Sequence, residues 1–307
     1  MQVALGKTDL HVHHLCLGGN VFGWSATPHE SKLVLDAYAN AGGNFIDSAD
    51  MYSEWHEGNV GGESETIIGD WMKSRGNRAE IIVATKVAKL TTRAGLAATN
   101  IAGAAEDSLR RLGTDYIDIY YAHHDDESVP LEESLTAFHK LVTAGKVRYI
   151  AASNYSADRL SQALRISREL GISEYLLLQP HYNAIVRNEY EGALLALAVK
   201  EEIAVLPYFA LAAGFLTGKY QPGVAVASVR ADDMPEYMNE RGWAILQALT
   251  DIAAQHNAPI AATALAWLRA QPGIAAPIAS ARTPEQLAQL LPIVELSPEQ
   301  IAQVNAL

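Results

Sequence analysis

The chain has 307 residues, 49% of them hydrophobic and 19% charged, which describes an ordinary globular protein with ample material for a core. A formal charge of −12 argues against a nucleic-acid or anionic-membrane surface, and no long Lys/Arg cluster offsets it. The sole cysteine, Cys16, excludes an internal disulfide and reads as a reduced, buried thiol. With Lys7 and Asp9 where a secretion signal would need an apolar core, and with the uncharged stretch 203–218 too short for a bilayer, a cytoplasmic protein is expected.

Taken in chain order, an N-terminal strand segment leads into alternating strand-like and helix-like patterns. Strands are predicted at 15–18, 44–47, 81–86, 116–122, 147–152, 175–179, 203–208 and 275–279. Helices are predicted near 29–41, 64–75, 99–112, 131–144, 156–170, 188–201 and 284–291. The helix near 131–144 illustrates the pattern: Leu135, Phe138, Leu141 and Val142 fall on one face at spacings of three and four. Gly113, Gly145 and Gly171 fit helix stops. Strands this apolar are covered on both faces, so they belong to a parallel sheet of βαβ units.

Eight such units in one domain spanning 1–307 match a (β/α)8 TIM barrel better than an open doubly wound sheet. Neither GxGxxG nor GxxxxGK[ST] occurs; Leu17-Gly18-Gly19-Asn20 lacks the third glycine and the following helix. The region from Met234 to Leu268 exceeds one crossover, so one or two extra helices are expected there.

Asp47, Tyr52, Lys86 and His123 each lie at or just beyond the end of a strand-like run, and a closed barrel gathers such positions at one rim. The grouping makes chemical sense. A phenol acts as an acid near neutral pH when a neighbouring ammonium favours its phenolate form, and Lys86 supplies that charge beside Tyr52. Asp47 can hold Lys86, and His123 can offer a hydrogen bond to a substrate oxygen. Singly, each residue has a structural alternative: a loop cap, a snorkelling lysine, a core histidine, a packing aromatic.

The stretches carrying these residues resemble the aldo-keto reductase family. They are Asn44-Phe45-Ile46-Asp47 to Met51-Tyr52, Gly62-Glu63-Ser64-Glu65, Ala84-Thr85-Lys86, and Leu112-Gly113-Thr114-Asp115-Tyr116 running into His123. Ser153-Asn154-Tyr155, Gln179, Ala213-Gly214 to Lys219-Tyr220 and Arg282-Thr283-Pro284-Glu285-Gln286-Leu287 extend the likeness over nearly the whole chain.

The resemblance implies an NADPH-dependent reductase of aldehydes or ketones, with the four rim residues as its catalytic tetrad and Tyr52 as general acid. It also implies that Ser153, Asn154 and Gln179 meet the nicotinamide carboxamide and that Tyr208 stacks on the ring. Leu211, Lys219, Arg230, Ser280, Arg282 and Gln286 would bind the rest of the cofactor, with Lys219 and Arg230 toward the pyrophosphate and Arg282 toward the 2′-phosphate. Departures stand beside the match: Tyr208-Phe209-Ala210-Leu211 lacks the usual Ser-Pro, Ala279-Ser280 replaces Pro-Gly or Pro-Lys, and Gln289-Leu290 replaces Glu-Asn.

Phe22, Trp24, Trp55 and His124 are candidates for the substrate mouth, and Glu54, His56 and Glu57 in the 53–63 loop for its selectivity. Two rival readings share the fold. A metal-dependent hydrolase draws on His11-Val12-His13, whose spacing sets two imidazoles on one strand face. Position opposes it, because the pair precedes the first barrel strand and would lie at the far end from Lys86. The other rival is a nicotinamide-binding regulatory subunit with little turnover. No metal is expected, and neither a substrate nor an oligomeric state is written in the sequence.

Overall fold

The computed structural model describes residues 2–222, 224 and 234–307. An N-terminal hairpin, β1 (Gln2–Ala4) and β2 (His11–His13), pairs antiparallel and precedes the barrel. The barrel follows as β3 (Cys16–Gly18), α1 (Pro28–Asn40), β4 (Phe45–Asp47), α2 (Glu63–Arg75), β5 (Ile82–Val87), α3 (Ala98–Leu112), β6 (Ile117–Ala122) and α4 (Leu131–Thr143). It continues through β7 (Val147–Ser153), α5 (Ala157–Leu170), β8 (Tyr175–Gln179), α6 (Ala193–Lys200) and β9 (Ala204–Val205), then α7 (Glu240–Gln255), α8 (Ile260–Arg269), β10 (Ile278–Ala279), α9 (Pro284–Ala288) and α10 (Pro298–Asn305).

Among the described residues, eight strands hydrogen-bond in the order β10-β3-β4-β5-β6-β7-β8-β9, every neighbour parallel. The ends of this sheet meet. Val205 N–H donates to the Gly273 carbonyl at 3.0 Å, Ala275 N–H to the Val205 carbonyl at 2.9 Å, and Ile278 N–H to the Pro207 carbonyl at 2.9 Å. The architecture is an α/β (β/α)8 barrel with surrounding helices. Pro207, which has no N–H to donate, accounts for the regular part of β9 being shorter than the predicted 203–208.

The alternation of side chains along each strand divides the core into two shells. Cys16, Phe45, Ala84, Tyr121, Ala151, Leu177, Leu206 and Ile278 pack together inside the barrel. Their chain neighbours Leu17, Ile46, Val83, Tyr120, Ala152, Leu178 and Val205 face the helices. Two residues after each interior position, at the carboxyl rim, stand Gly18, Asp47, Lys86, His123, Ser153, Gln179, Tyr208 and Ser280. The period of two thus aims every one of these positions inward, above the packed interior.

The amino end is closed by the hairpin, whose Leu5, Leu10 and Val12 join the interior cluster. Asn44 fastens it, accepting from His13 N–H at 2.8 Å and donating to the His11 carbonyl at 2.9 Å. His11 and His13 therefore lie at the end opposite Lys86. His13 is buried, with Nδ1 3.2 Å from the Leu15 carbonyl.

Two differences from the predicted elements have local causes, and the extra helix expected between Met234 and Leu268 is present. α6 begins at Ala193 rather than 188, because Gly192 sits at φ +94° and the preceding turn is not helical. α7 and α8 both occupy the connection between β9 and β10, so one helix is additional to the barrel repeat. α10 was not predicted; Ser297 and Gln300 form its capping box, with Pro298 in the first turn.

Candidate active site

The rim residues converge on Lys86. Its Nζ, fully buried, lies 2.6 Å from Asp47 Oδ2, 2.7 Å from the Ser48 carbonyl oxygen and 2.9 Å from the Tyr52 hydroxyl. The Tyr52 hydroxyl is also 3.1 Å from Asp47 Oδ2, which closes a triangle of phenol, carboxylate and ammonium. Gln179 Nε2 donates to the other carboxylate oxygen of Asp47 at 2.9 Å. Asp47 is thereby held through both oxygens, and Lys86 Nζ is met by three oxygens.

Burial lowers the Lys86 pKa from its ordinary value, against the pull of Asp47. His123 is pushed well below the usual imidazole range, first by burial and then by Lys86, Lys89 and His124. It is a neutral ring at pH 7, able to present one N–H. Its ring centroid lies 6.2 Å from that of Tyr52, nearly perpendicular to it.

These groups form the floor of a cavity of about 590 Å³, lined by Asp47, Tyr52 and His123 but not by Lys86, which stands behind them. Ser153, Asn154, Gln179 and Tyr208 line one part of the wall. They are mutually bonded: Ser153 Oγ donates to the Gln179 carbonyl at 2.8 Å, Asn154 Nδ2 to the His123 carbonyl at 2.9 Å, and the Tyr208 hydroxyl to Asn154 Oδ1 at 2.8 Å. Asn154 adopts φ +57°, a left-handed conformation that asparagine tolerates, and this turns its amide back onto the rim.

Leu211, Lys219, Ser280, Arg282 and Gln286 also line the cavity, as do Gln289 and Leu290 at the departing positions. Gln286 Oε1 accepts the Arg282 N–H at 2.9 Å, tying that arginine to the start of α9. Arg230 lies outside the described residues. The donor set suits a dinucleotide: fixed amides beside the tetrad, a flat aromatic, and cations in the same cavity. A Cβ on Gly18 would come 2.5 Å from Ser280 Oγ, so a larger residue there would displace that side chain in the cavity wall.

The candidates for the mouth separate. Trp55 lines the cavity, is 45% exposed and packs edge-on to Tyr52 at 6.1 Å. Trp24 does not line it but braces Trp55 at 5.5 Å. His124 is also absent from the lining. Phe22 corrects the sequence expectation: it is fully buried in the shell facing the helices, its N–H donating to the Gly19 carbonyl at 3.0 Å and its carbonyl accepting from Ser53 Oγ at 2.7 Å. Glu54 is committed to the backbone N–H of Thr91 at 3.1 Å, while His56 and Glu57 are exposed.

Sequence reasoning missed several lining or supporting residues, Asn20, Lys89 and His181 among them. Asn20 accepts from Ser280 Oγ at 2.6 Å, and Lys89 faces the same cavity. His181 stacks on Tyr208 with centroids 5.3 Å apart and planes 20° from parallel. The only hint for His181 was its place two residues after Gln179.

The sequence pattern of the Aldo/keto reductase family matches residues 14–307. The chain belongs to that family. Among its relatives is a protein of Bacillus subtilis described as an uncharacterized oxidoreductase, 32% identical over 95% of this chain and 90% of its own. An aryl-alcohol dehydrogenase (NADP+) of Phanerodontia chrysosporium is 30% identical over 99% of this chain and 84% of its own. A probable voltage-gated potassium channel subunit beta of Oryza sativa subsp. japonica is 28% identical over 98% of this chain and 94% of its own. An aldo-keto reductase oxidoreductase fold thus carries the site. Among the described residues no cluster of ligand side chains could hold a metal ion, and no helix is long and apolar enough to cross a membrane.

Proposed function

We propose that the protein reduces an aldehyde or ketone to an alcohol with NADPH, with Tyr52 as the proton donor. The observation that carries this reading is Lys86 Nζ within 2.9 Å of the Tyr52 hydroxyl and 2.6 Å of Asp47, at the floor of a cavity of about 590 Å³. The nicotinamide supplies the hydride when bound. Tyr52 gives its proton to the carbonyl oxygen, and Lys86 stabilises the phenolate left behind.

Asp47, fixed by Gln179, keeps Lys86 in place, and neutral His123 donates to the same carbonyl oxygen. Ser153, Asn154 and Gln179 orient the carboxamide, Tyr208 backs the ring, and Leu211, Ser280 and Gln286 flank the remainder. Lys219 meets the pyrophosphate and Arg282 the 2′-phosphate, both as charge-assisted donors.

The relative named as a potassium channel subunit favours a second reading, a nicotinamide-binding regulatory subunit with little turnover. Steady-state reduction of a panel of aliphatic and aromatic aldehydes, with NADPH and with NADH, separates the two. Turnover with NADPH supports the reductase; tight cofactor binding without turnover on any carbonyl supports the subunit.

A further inference from the structure

Where β5 ends, the chain enters a conformation that alanine seldom adopts: Ala88 is held at φ +117°. The strain is maintained by its surroundings. Gly95 N–H donates to the Ala88 carbonyl at 2.9 Å, an Ala88–Ala94 bridge closes the loop, Leu90 is buried, and Thr91 N–H is bonded to Glu54 at 3.1 Å. Lys89, between these anchors, lines the cavity that contains Tyr52 and His123.

An exposed lysine is ordinarily a solvated charge. Lys89 differs in two respects. It faces the reaction cavity, and among the described residues it has no carboxylate or hydrogen-bond partner; Glu54, on the adjoining loop, is already engaged. Burial and then repulsion from Lys86 lower its pKa, and Lys89 in turn disfavours a charge on His123. Two ammonium groups therefore influence this end of the cavity, and of the two, among the described residues, Lys86 alone has a counter-ion, Asp47. In a chain of formal charge −12 such a cation is a ready place for an anion. Lys219 and Arg282, the cations given to the cofactor, lie on other segments of the wall.

We infer that Lys89 binds a carboxylate on the substrate, so that the preferred substrates are aldehydes or ketones carrying an acid group. The inference rests on the reductase reading above. A carboxylate bonded to Lys89 Nζ supplies the missing counter-ion and fixes the carbonyl end toward Tyr52 and His123.

The test compares 4-carboxybenzaldehyde with benzaldehyde, both with NADPH, for the parent protein and for Lys89→Gln, Lys89→Glu and Lys89→Arg. The parent is expected to favour the carboxylated aldehyde in kcat/KM. Lys89→Gln should lose about 10-fold or more on that substrate, mainly through KM, Lys89→Glu more still, and Lys89→Arg should retain the preference. Benzaldehyde controls for a general change in the electrostatics of Tyr52. Equal effects on the two aldehydes, or no effect on either, would overturn the assignment. Binding of both aldehydes to the NADP+-loaded protein, followed by Trp55 fluorescence, reads the same discrimination without turnover. A protein that reduces neither aldehyde yet binds the carboxylated one through Lys89 would contradict the reductase reading alone.

Discussion

Asp50 is the most unusual single residue near the tetrad. It is fully buried, and among the described residues neither carboxyl oxygen has a partner within hydrogen-bond geometry, although its N–H donates to the Lys86 carbonyl at 3.2 Å. Burial, reinforced by Glu65 and opposed by Arg111, pushes its pKa up to about 8. An unfolded aspartate titrates near ~3.9, so between about pH 4 and about pH 8 the folded chain keeps a proton the unfolded chain has released. The contribution of this group to stability therefore falls as pH rises through that window. Asn in its place has no proton to lose. The denaturation midpoint of Asp50→Asn, relative to the parent, is expected to improve from about pH 5 to about pH 8, and a constant difference would show that Asp50 is ionised throughout.

Arg282 is a second single-residue case. Its planar, permanent charge suits a 2′-phosphate, which NADH lacks. Arg282→Ala should weaken NADPH binding by about 1.5–3 kcal/mol more than NADH binding. Titration of both nucleotides decides it, and equal losses would remove Arg282 from that role.

At the scale of elements, the close seating of α2 on α3 depends on Gly69. A Cβ there would fall 2.4 Å from the Arg111 carbonyl oxygen and 2.7 Å from the Leu112 carbonyl, backbone atoms that cannot swing aside. Alanine favours a helix by up to ~1 kcal/mol over glycine, but forcing a methyl into packed backbone costs about 1–3 kcal/mol. Gly69→Ala is expected to be destabilising on balance, as read by chemical denaturation; an unchanged or raised midpoint would mean that the two helices part at little cost.

The elements also show what the sequence could carry. Asp47, Lys86 and His123 were legible because each ends an apolar strand, and period-two alternation fixes which way such a residue points. Phe22, Lys89 and His181 lie on loops, where no period fixes direction. Phe22 consequently looked like a pocket residue although it is core, while Lys89 and His181 went unnoticed. α10 was obscured because only Val304 of its residues is fully buried, leaving the capping box at Ser297 as its clearest signal.

For the molecule as a whole, the hairpin closes one end of the barrel and the reactive groups collect at the other. Asp47 and Lys86 come from β4 and β5, His123 from the residue just past β6, and Tyr52 from the loop after β4. Closure of the sheet between β9 and β10 completes the ring of rim residues, bringing Ser280 and Tyr208 round to the same cavity. The central claim is that this convergence makes Tyr52 an acid. Replacing Tyr52 with phenylalanine keeps the ring against Trp55 and His123 and removes the hydroxyl with its proton and its contacts to Lys86 and Asp47. Steady-state turnover of Tyr52→Phe, on an aldehyde the parent reduces and with cofactor binding measured alongside, tests it most directly. Turnover should fall by at least ~100-fold while cofactor affinity is retained; turnover near that of the parent would contradict the assignment.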